Sequence, residues 1–585
     1  MKRGLSPLDR SLPVRGCRLA SFISSDFDAT QWGNIKPYAN ELLDRELSCS
    51  GCLETMIKDA STLAEHVSEA GTLLSIAMTC DTESEAKRKA YLDFVENVVP
   101  ELAEFDDAFN RRLVEHPAVN DLPSRYDLMI KRIRTEIEIF REENIPLRIE
   151  ETKLETEHST ITGAMTVFFE GEERTFPQMA LYFENTDRSI RQNAWKAVVE
   201  RMNQDAERLS EIYDELIVIR HRIAVNSGFD DYRPYIFQAK HRYDYSIEDC
   251  LEFHDSIEQI CVPMMHDFQE RRRDALGVET LRPWDVGEKS GGGVDIHGRP
   301  PLAPFEDVER LISGCSSIFH NMSPELGGMF DMLRDRNSLD LESRKGKAPG
   351  GYQANLEKTR IPFIFMNAAG THDNLSTMLH EAGHAFHSCY SSGLDLIGDR
   401  NPPIEFAEVA SMSMELMSHP QWGEFYNDED ARRAKLEDLE KIVCFLPWMA
   451  TIDAFQHWVY ANPEHTREER AQHWLELRRR FGPKTDWSGF EELKETSWQS
   501  QLHLFQVPFY YIEYGIAQLG ALQLWQHHRR DVEDGLIRYA RAMRLGNTKS
   551  LPELFGAAGL ELGFGEEHMV SMMNELNDAI VELSS

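Results

Sequence analysis

The stretch His380-Glu381-Ala382-Gly383-His384 constrains this chain more than any other. Two histidines at this spacing share a face only on a helix, where their imidazoles can converge on one ion. Glu381, one step round from His380, can then reach a water held by that ion. The flanking residues predict the helix: Thr371 or Asp373 can cap its start, and Leu375, Met378, Leu379, Ala382 and Phe386 recur at helical spacing. A buried helix with two satisfied histidines would carry the same motif, so the reading turns on a third ligand.

A metzincin would continue with Gly at 387 and His at 390, whereas this chain has His387 and Tyr390, which excludes that branch. His387, one turn beyond His384, is not counted as a ligand, because a fourth protein ligand would close the position water needs. Pro402-Pro403 opens a second predicted helix, Ile404 to Glu415, which offers Glu405, Glu408 and Glu415.

Here the sequence resembles a known family. His380-Glu381-x-x-His384, with Glu408 and Glu415 on the following helix, is similar to the thimet oligopeptidase and oligoendopeptidase F family of zinc metallopeptidases, peptidase family M3. The likeness is closest to the oligoendopeptidase F branch. It implies one Zn2+ per chain held by His380, His384 and Glu408, with Glu381 as general base. Glu415, two turns further along that face, would orient a ligand imidazole. The segment from His503 to Gly515 resembles the family's His- and Tyr-rich segment, which implies that His503, Tyr510 and Tyr514 stabilise the tetrahedral intermediate. Tyr510 and Tyr514 are spaced to share one helical face, and Tyr511 is the competing tyrosine. The implied fold is mainly α: a multi-helix zincin-like metallopeptidase with a small β-sheet beside the HExxH helix and a deep substrate channel. The implied activity is zinc-dependent endopeptidase cleavage of short oligopeptides. A carboxypeptidase or dipeptidyl carboxypeptidase on the same scaffold is the near alternative, and a non-catalytic helical peptide-binding protein the distant one.

The remaining sequence sets the frame. Sixty-three basic against 99 acidic side chains give a net charge of −36, which argues against nucleic acid and anionic membrane as partners. Nine cysteines, an odd number thinly spread, fit a reducing compartment, and a cytoplasmic location is expected. Pro7, Asp9, Arg10, Pro13 and Arg15 interrupt any apolar signal segment, and no apolar run reaches the roughly 18 residues of a membrane span. Cys49-Ser-Gly-Cys52 is read with Leu53, Met56, Ile57 and Ala60 as one helical stripe. Stripes such as Tyr91, Phe94, Val98, Leu102, Phe105 and Phe109 predict a helical N-terminal half, broken by a hairpin around Met165 to Phe176. The expected division is an N-terminal helical region, 1–200, and a catalytic region, 201–585. Pro283 to Pro304, with Gly291, Gly292 and Gly293, is expected to be a mobile surface loop. Ile361 to Asn367 is expected to be a strand, and Pro362 within it suggests a sheet edge where an extended peptide could pair.

Overall fold

Apolar stripes at helical spacing make most of this chain helical, and two small sheets interrupt the helices. The computed structural model describes residues 22–24, 27–287, 293–344 and 346–584. The N-terminal prolines discussed above, and Gly291 and Gly292, lie outside the described residues.

The N-terminal helices close on their own core, which includes Ile35, Leu42, Leu53, Phe94, Phe105 and Leu113. Helix α1 (Ser50–Thr79) starts on Cys49, whose thiol accepts from the Cys52 backbone N–H. Cys49 is thus an exposed cap and not part of the apolar stripe, whereas Leu53, Met56 and Ile57 are buried as expected. The predicted hairpin forms from β1 (Thr166–Phe169) and β2 (Glu172–Thr175). A second, larger core runs from Ile139 to Ile580 and includes the long helix α2 (Ile247–Leu276).

The described part of Pro283 to Pro304 is not a surface excursion: Trp284, Asp285, Val286, Val294, Asp295 and Leu302 are all buried. Two carboxylates pin it. Asp285 takes Arg188 at 2.6 Å and Arg191 at 3.1 Å, and Asp295 takes Arg299 at 2.8 Å and Arg433 at 3.3 Å.

The second sheet has the order β3-β5-β4, from β3 (Leu339–Glu342), β4 (Tyr352–Leu356) and β5 (Ile361–Ala368). The strand carrying Pro362 is therefore central, not an edge. Pro362 is tolerated because it pairs only with Asn355 of β4; the parallel partner β3 joins later, at Ile364. The two edges are β3 and β4, and β4 is the edge strand that contacts the helix from His372 to Ser391. The far end of α1 supports this edge through Thr79 Oγ1 on the Tyr352 hydroxyl, 2.6 Å, and Glu69 Oε2 on the Thr359 N–H, 2.7 Å.

Helix α3 (His372–Ser391) follows β5 and starts on a capping box between Thr371 and Asn374. All five of its predicted apolar residues are fully buried. Helix α4 (Ile404–Ser418) lies across it; α6 (Tyr511–Arg530) packs on α4, α7 (Val532–Met543) on α3 and α6, and α5 (Asp428–Ala461) on the outer side of α6. The two backbones meet at Gly383, where a Cβ would lie 2.6 Å from Ser411 Cα and 2.7 Å from Ala410 O. Tyr539 of α7 closes the crossing, its hydroxyl 3.3 Å from the carbonyls of both Gly383 and Ala410. Among the described residues no helix is long and apolar enough to cross a membrane.

Gly383→Ala should force α3 and α4 apart and cost about 1–3 kcal/mol in stability. Denaturant unfolding measures this, and an unchanged midpoint would mean that the crossing relaxes freely.

Candidate metal centre and active site

Because α3 and α4 approach so closely, His380 and His384 face Glu408 directly. The Nε2 atoms of the two histidines lie 3.2 and 3.5 Å from the same carboxylate oxygen, Glu408 Oε2. These three donor atoms all fall within 4.8 Å of one another. Burial opposes charge on Glu408, yet the His384 and His380 imidazoles hold its carboxyl well below the ordinary carboxylate range. Three lone-pair-bearing atoms facing one point, one of them an ionised carboxylate, form a donor set that fits a zinc ion.

The groups behind these donors fix their orientation. His380 Nδ1 lies 2.7 Å from Glu415 Oε1, which leaves Nε2 pointing at the centre. Ser411 donates to Glu408 Oε2 at 3.0 Å, and the Tyr510 hydroxyl donates to Glu408 Oε1 at 2.6 Å. Glu405 faces elsewhere: Tyr245 donates to it at 2.6 Å, and Arg242 lies 3.9 Å away. His387 is buried beside the centre with neither ring nitrogen hydrogen-bonded, and burial lowers its pKa to about 3, so it stays neutral. It is outside the converging donor group.

Glu381 is 6% exposed, and its Oε2 has no hydrogen-bond partner. Burial pushes its carboxyl above the ordinary range, partly offset by His380 and His384. It lines a cavity of about 300 Å³ together with His380, His384, Glu408, Tyr510 and Tyr514, and with Gly351 to Gln353 at the start of the β4 edge. No Lys or Arg is among the described residues lining it. An adjoining cavity of about 240 Å³ is lined by Lys131, Arg132, Lys240 and Arg242, of which Lys240 and Arg242 are paired with Glu513, at 3.1 and 2.7 Å.

The His- and Tyr-rich segment divides. Tyr510 and Tyr514 face the cavity, and burial, with Glu408 nearby, keeps both hydroxyls protonated well above the usual phenol range. Tyr511 turns into the wall toward Trp448 and Gln501. His503 packs against the tyrosines, its ring 4.8 Å from Tyr511 and 5.8 Å from Tyr514, and is not among the lining residues. Its Nδ1 accepts from the Gln501 amide at 2.6 Å, which leaves the proton on Nε2.

Sequence reasoning missed the groups that aim this segment. Phe509 has φ +59°, a left-handed conformation costly for a bulky residue. Its N–H donates to Gln456 Oε1 at 2.6 Å, and its carbonyl accepts from the buried Arg242. Ser411 carries a usable signal, one turn from Glu408 on a predicted helix; Arg242 and Gln456 carry none, since they reach the segment only through the tertiary fold.

Comparison with known proteins identifies a family and a shared fold. Residues 181–573 match Peptidase family M3, and residues 23–140 match the Peptidase M3 N-terminal domain. An oligoendopeptidase F homolog of Borreliella burgdorferi is 22% identical over 485 residues, covering 79% of this chain and 78% of its own. Pz peptidase A, solved with an inhibitor, superposes with a TM-score of 0.90 at 28% identity over 96% of this chain and 99% of that one. Oligoendopeptidase-F of Enterococcus faecium, 16% identical with a TM-score of 0.63, shares the fold over 94% of this chain and 97% of its own. With more than half of its length matched to that family, and its mainly helical architecture shared with these structures, the chain belongs to peptidase family M3.

Proposed function

We propose that this chain is a zinc-dependent endopeptidase acting on short oligopeptides. The observation that carries the reading is the convergence of His380, His384 and Glu408 on one point, with Glu381 beside them in the same cavity. The catalytic unit is assigned to residues 201–585, with 1–200 as an N-terminal helical region. Free cysteines support a reducing, cytoplasmic setting.

Two imidazoles and one carboxylate suit zinc, which when bound supplies Lewis acidity to the scissile carbonyl and a water acidic enough to attack at neutral pH. The chain's residues do the rest. The edge strand β4, partly buried and with no further strand paired to it, offers N–H and C=O groups to an extended peptide and holds it by its main chain. Glu381, its carboxyl raised by burial, takes the proton from water as the new C–O bond forms. It then delivers that proton to the amine nitrogen as the C–N bond breaks. Tyr514, kept protonated, donates to the developing oxyanion. Tyr510 is already committed to Glu408 and steadies the ligand, and His503, packed against both rings, positions the tyrosine pair. Internal cleavage rests on the family's oligoendopeptidase relatives.

A peptide blocked at both ends should therefore be cut internally. Glu381→Gln should lower that rate roughly 10²- to 10⁴-fold with zinc content unchanged, and near-normal cleavage would remove Glu381 from the mechanism. Glu415→Ala, by freeing the His380 ring, should weaken zinc binding about 10- to 100-fold in chelator competition; equal affinity would deny Glu415 its orienting role. Tyr514→Phe should lower kcat roughly 10²- to 10³-fold at nearly constant KM and zinc content. A change confined to KM would instead make Tyr514 a substrate-binding group.

A further inference from the structure

A second cluster of metal-binding side chains lies between α2 and α5 and shares no residue with the centre described above. Cys250 and His254 are four apart on α2, and Asp453 and His457 are four apart on α5, so each helix presents a pair from one face. The donor atoms of Cys250, Asp453 and His457 lie within 4.8 Å of one another, the same closeness found for His380, His384 and Glu408. All four side chains are at least nine-tenths buried, with exposures of 0, 1, 0 and 5% in the order Cys250, His254, Asp453, His457.

Hydrogen bonding within the protein leaves this cluster unsatisfied. His254 Nε2 meets Asp453 Oδ2 at 2.9 Å. His457 Nε2 comes within 3.3 Å of the same oxygen but without hydrogen-bonding geometry, so neither of its ring nitrogens has a hydrogen-bond partner. Asp453 Oδ1 and His254 Nδ1 are also unpaired. Each such buried orphan gives up its bonds to water without a replacement. The surroundings offer no relief: Phe237 and Phe509 flank His457, and Phe481 flanks His254.

We propose that Cys250, Asp453 and His457 form a second, structural zinc site that clamps α2 to α5, with His254 orienting the Asp453 carboxylate. The donor chemistry fits: a thiolate, a carboxylate and an imidazole suit a borderline-soft divalent ion, and the unpaired Asp453 Oδ1 can supply a fourth donor atom. The charge also closes. A divalent cation with one thiolate, one carboxylate and one neutral imidazole is neutral, as a centre shut off from water requires. Binding displaces the proton from the Cys250 thiol, which burial otherwise keeps in place. The clamp lies directly behind the active-site wall, since His457 packs on Phe509 and its neighbour Gln456 binds the Phe509 N–H.

Metal content and cobalt spectroscopy test this on the full chain. The zinc-loaded protein, dialysed free of loose metal, should hold two zinc ions per chain, and Glu408→Ala should still hold one. Cobalt-loaded protein should show a near-ultraviolet thiolate-to-cobalt charge-transfer band, which the first centre cannot give because it has no cysteine. Cys250→Ser should abolish that band, and the wild-type and Glu408→Ala measurements stand even if that variant fails to fold. A wild-type protein holding a single zinc, with no thiolate band in its cobalt form, would overturn the proposal. Loss of the band in Glu408→Ala would overturn it too, by making the two centres one.

Discussion

The contact between Gly383 and the Ser411 backbone is the constraint on which the rest of this site depends. A carboxylate can join two imidazoles from a neighbouring helix only if the two backbones nearly touch, and a side chain at 383 would hold them apart. Glu408 is thereby drawn into a layer of fully buried apolar residues, where an ionised group survives only with partners. Glu408 has four: two imidazoles, Ser411 and Tyr510. The packing requirement and the charge requirement are met by the same crossing of α3 and α4, closed from outside by Tyr539.

Polarity inside the cavity is graded by the same logic. Glu408 is held ionised by its neighbours, whereas Glu381, buried with an unpaired oxygen, is pushed toward the neutral form. Two carboxyls a few residues apart in space thus acquire opposite tendencies, one suited to holding a cation and the other to exchanging a proton. The unpaired oxygen of Glu381 leaves it free to act.

Local pattern carried the centre of this site and little of its frame. The His380–His384 helix, its cap and its buried face were legible because helical spacing and capping chemistry are short-range. Glu408 and Glu415 were legible through family resemblance, and the structure brings both to His380. What failed was long-range. Pro362 pointed to an edge, but strand order depends on where β3 joins, which no local rule encodes. The glycine- and proline-rich stretch near Pro283 read as surface because Asp285 and Asp295 find their arginines at distant positions. Tyr511 shares the tyrosine-rich segment with Tyr510 and Tyr514 but points into the wall, a division that spacing within the segment does not encode.

The turn at Phe509 shows how the wall opposite α3 is built. A phenylalanine in the left-handed region persists only where its surroundings over-determine it. Here its N–H is taken by Gln456, its carbonyl by Arg242, and its ring packs against His457 and Tyr460. Arg242 also binds Glu513 on α6, so one buried guanidinium fixes both the strained residue and the helix that carries Tyr514. Gln456 and His457 belong to α5, held against α2 at the Cys250 cluster. The orientation of the Tyr510 hydroxyl toward Glu408 is therefore set two layers away from the cavity, and changes at Arg242 or Asp453 should reach the cavity through Phe509 without touching any residue that lines it.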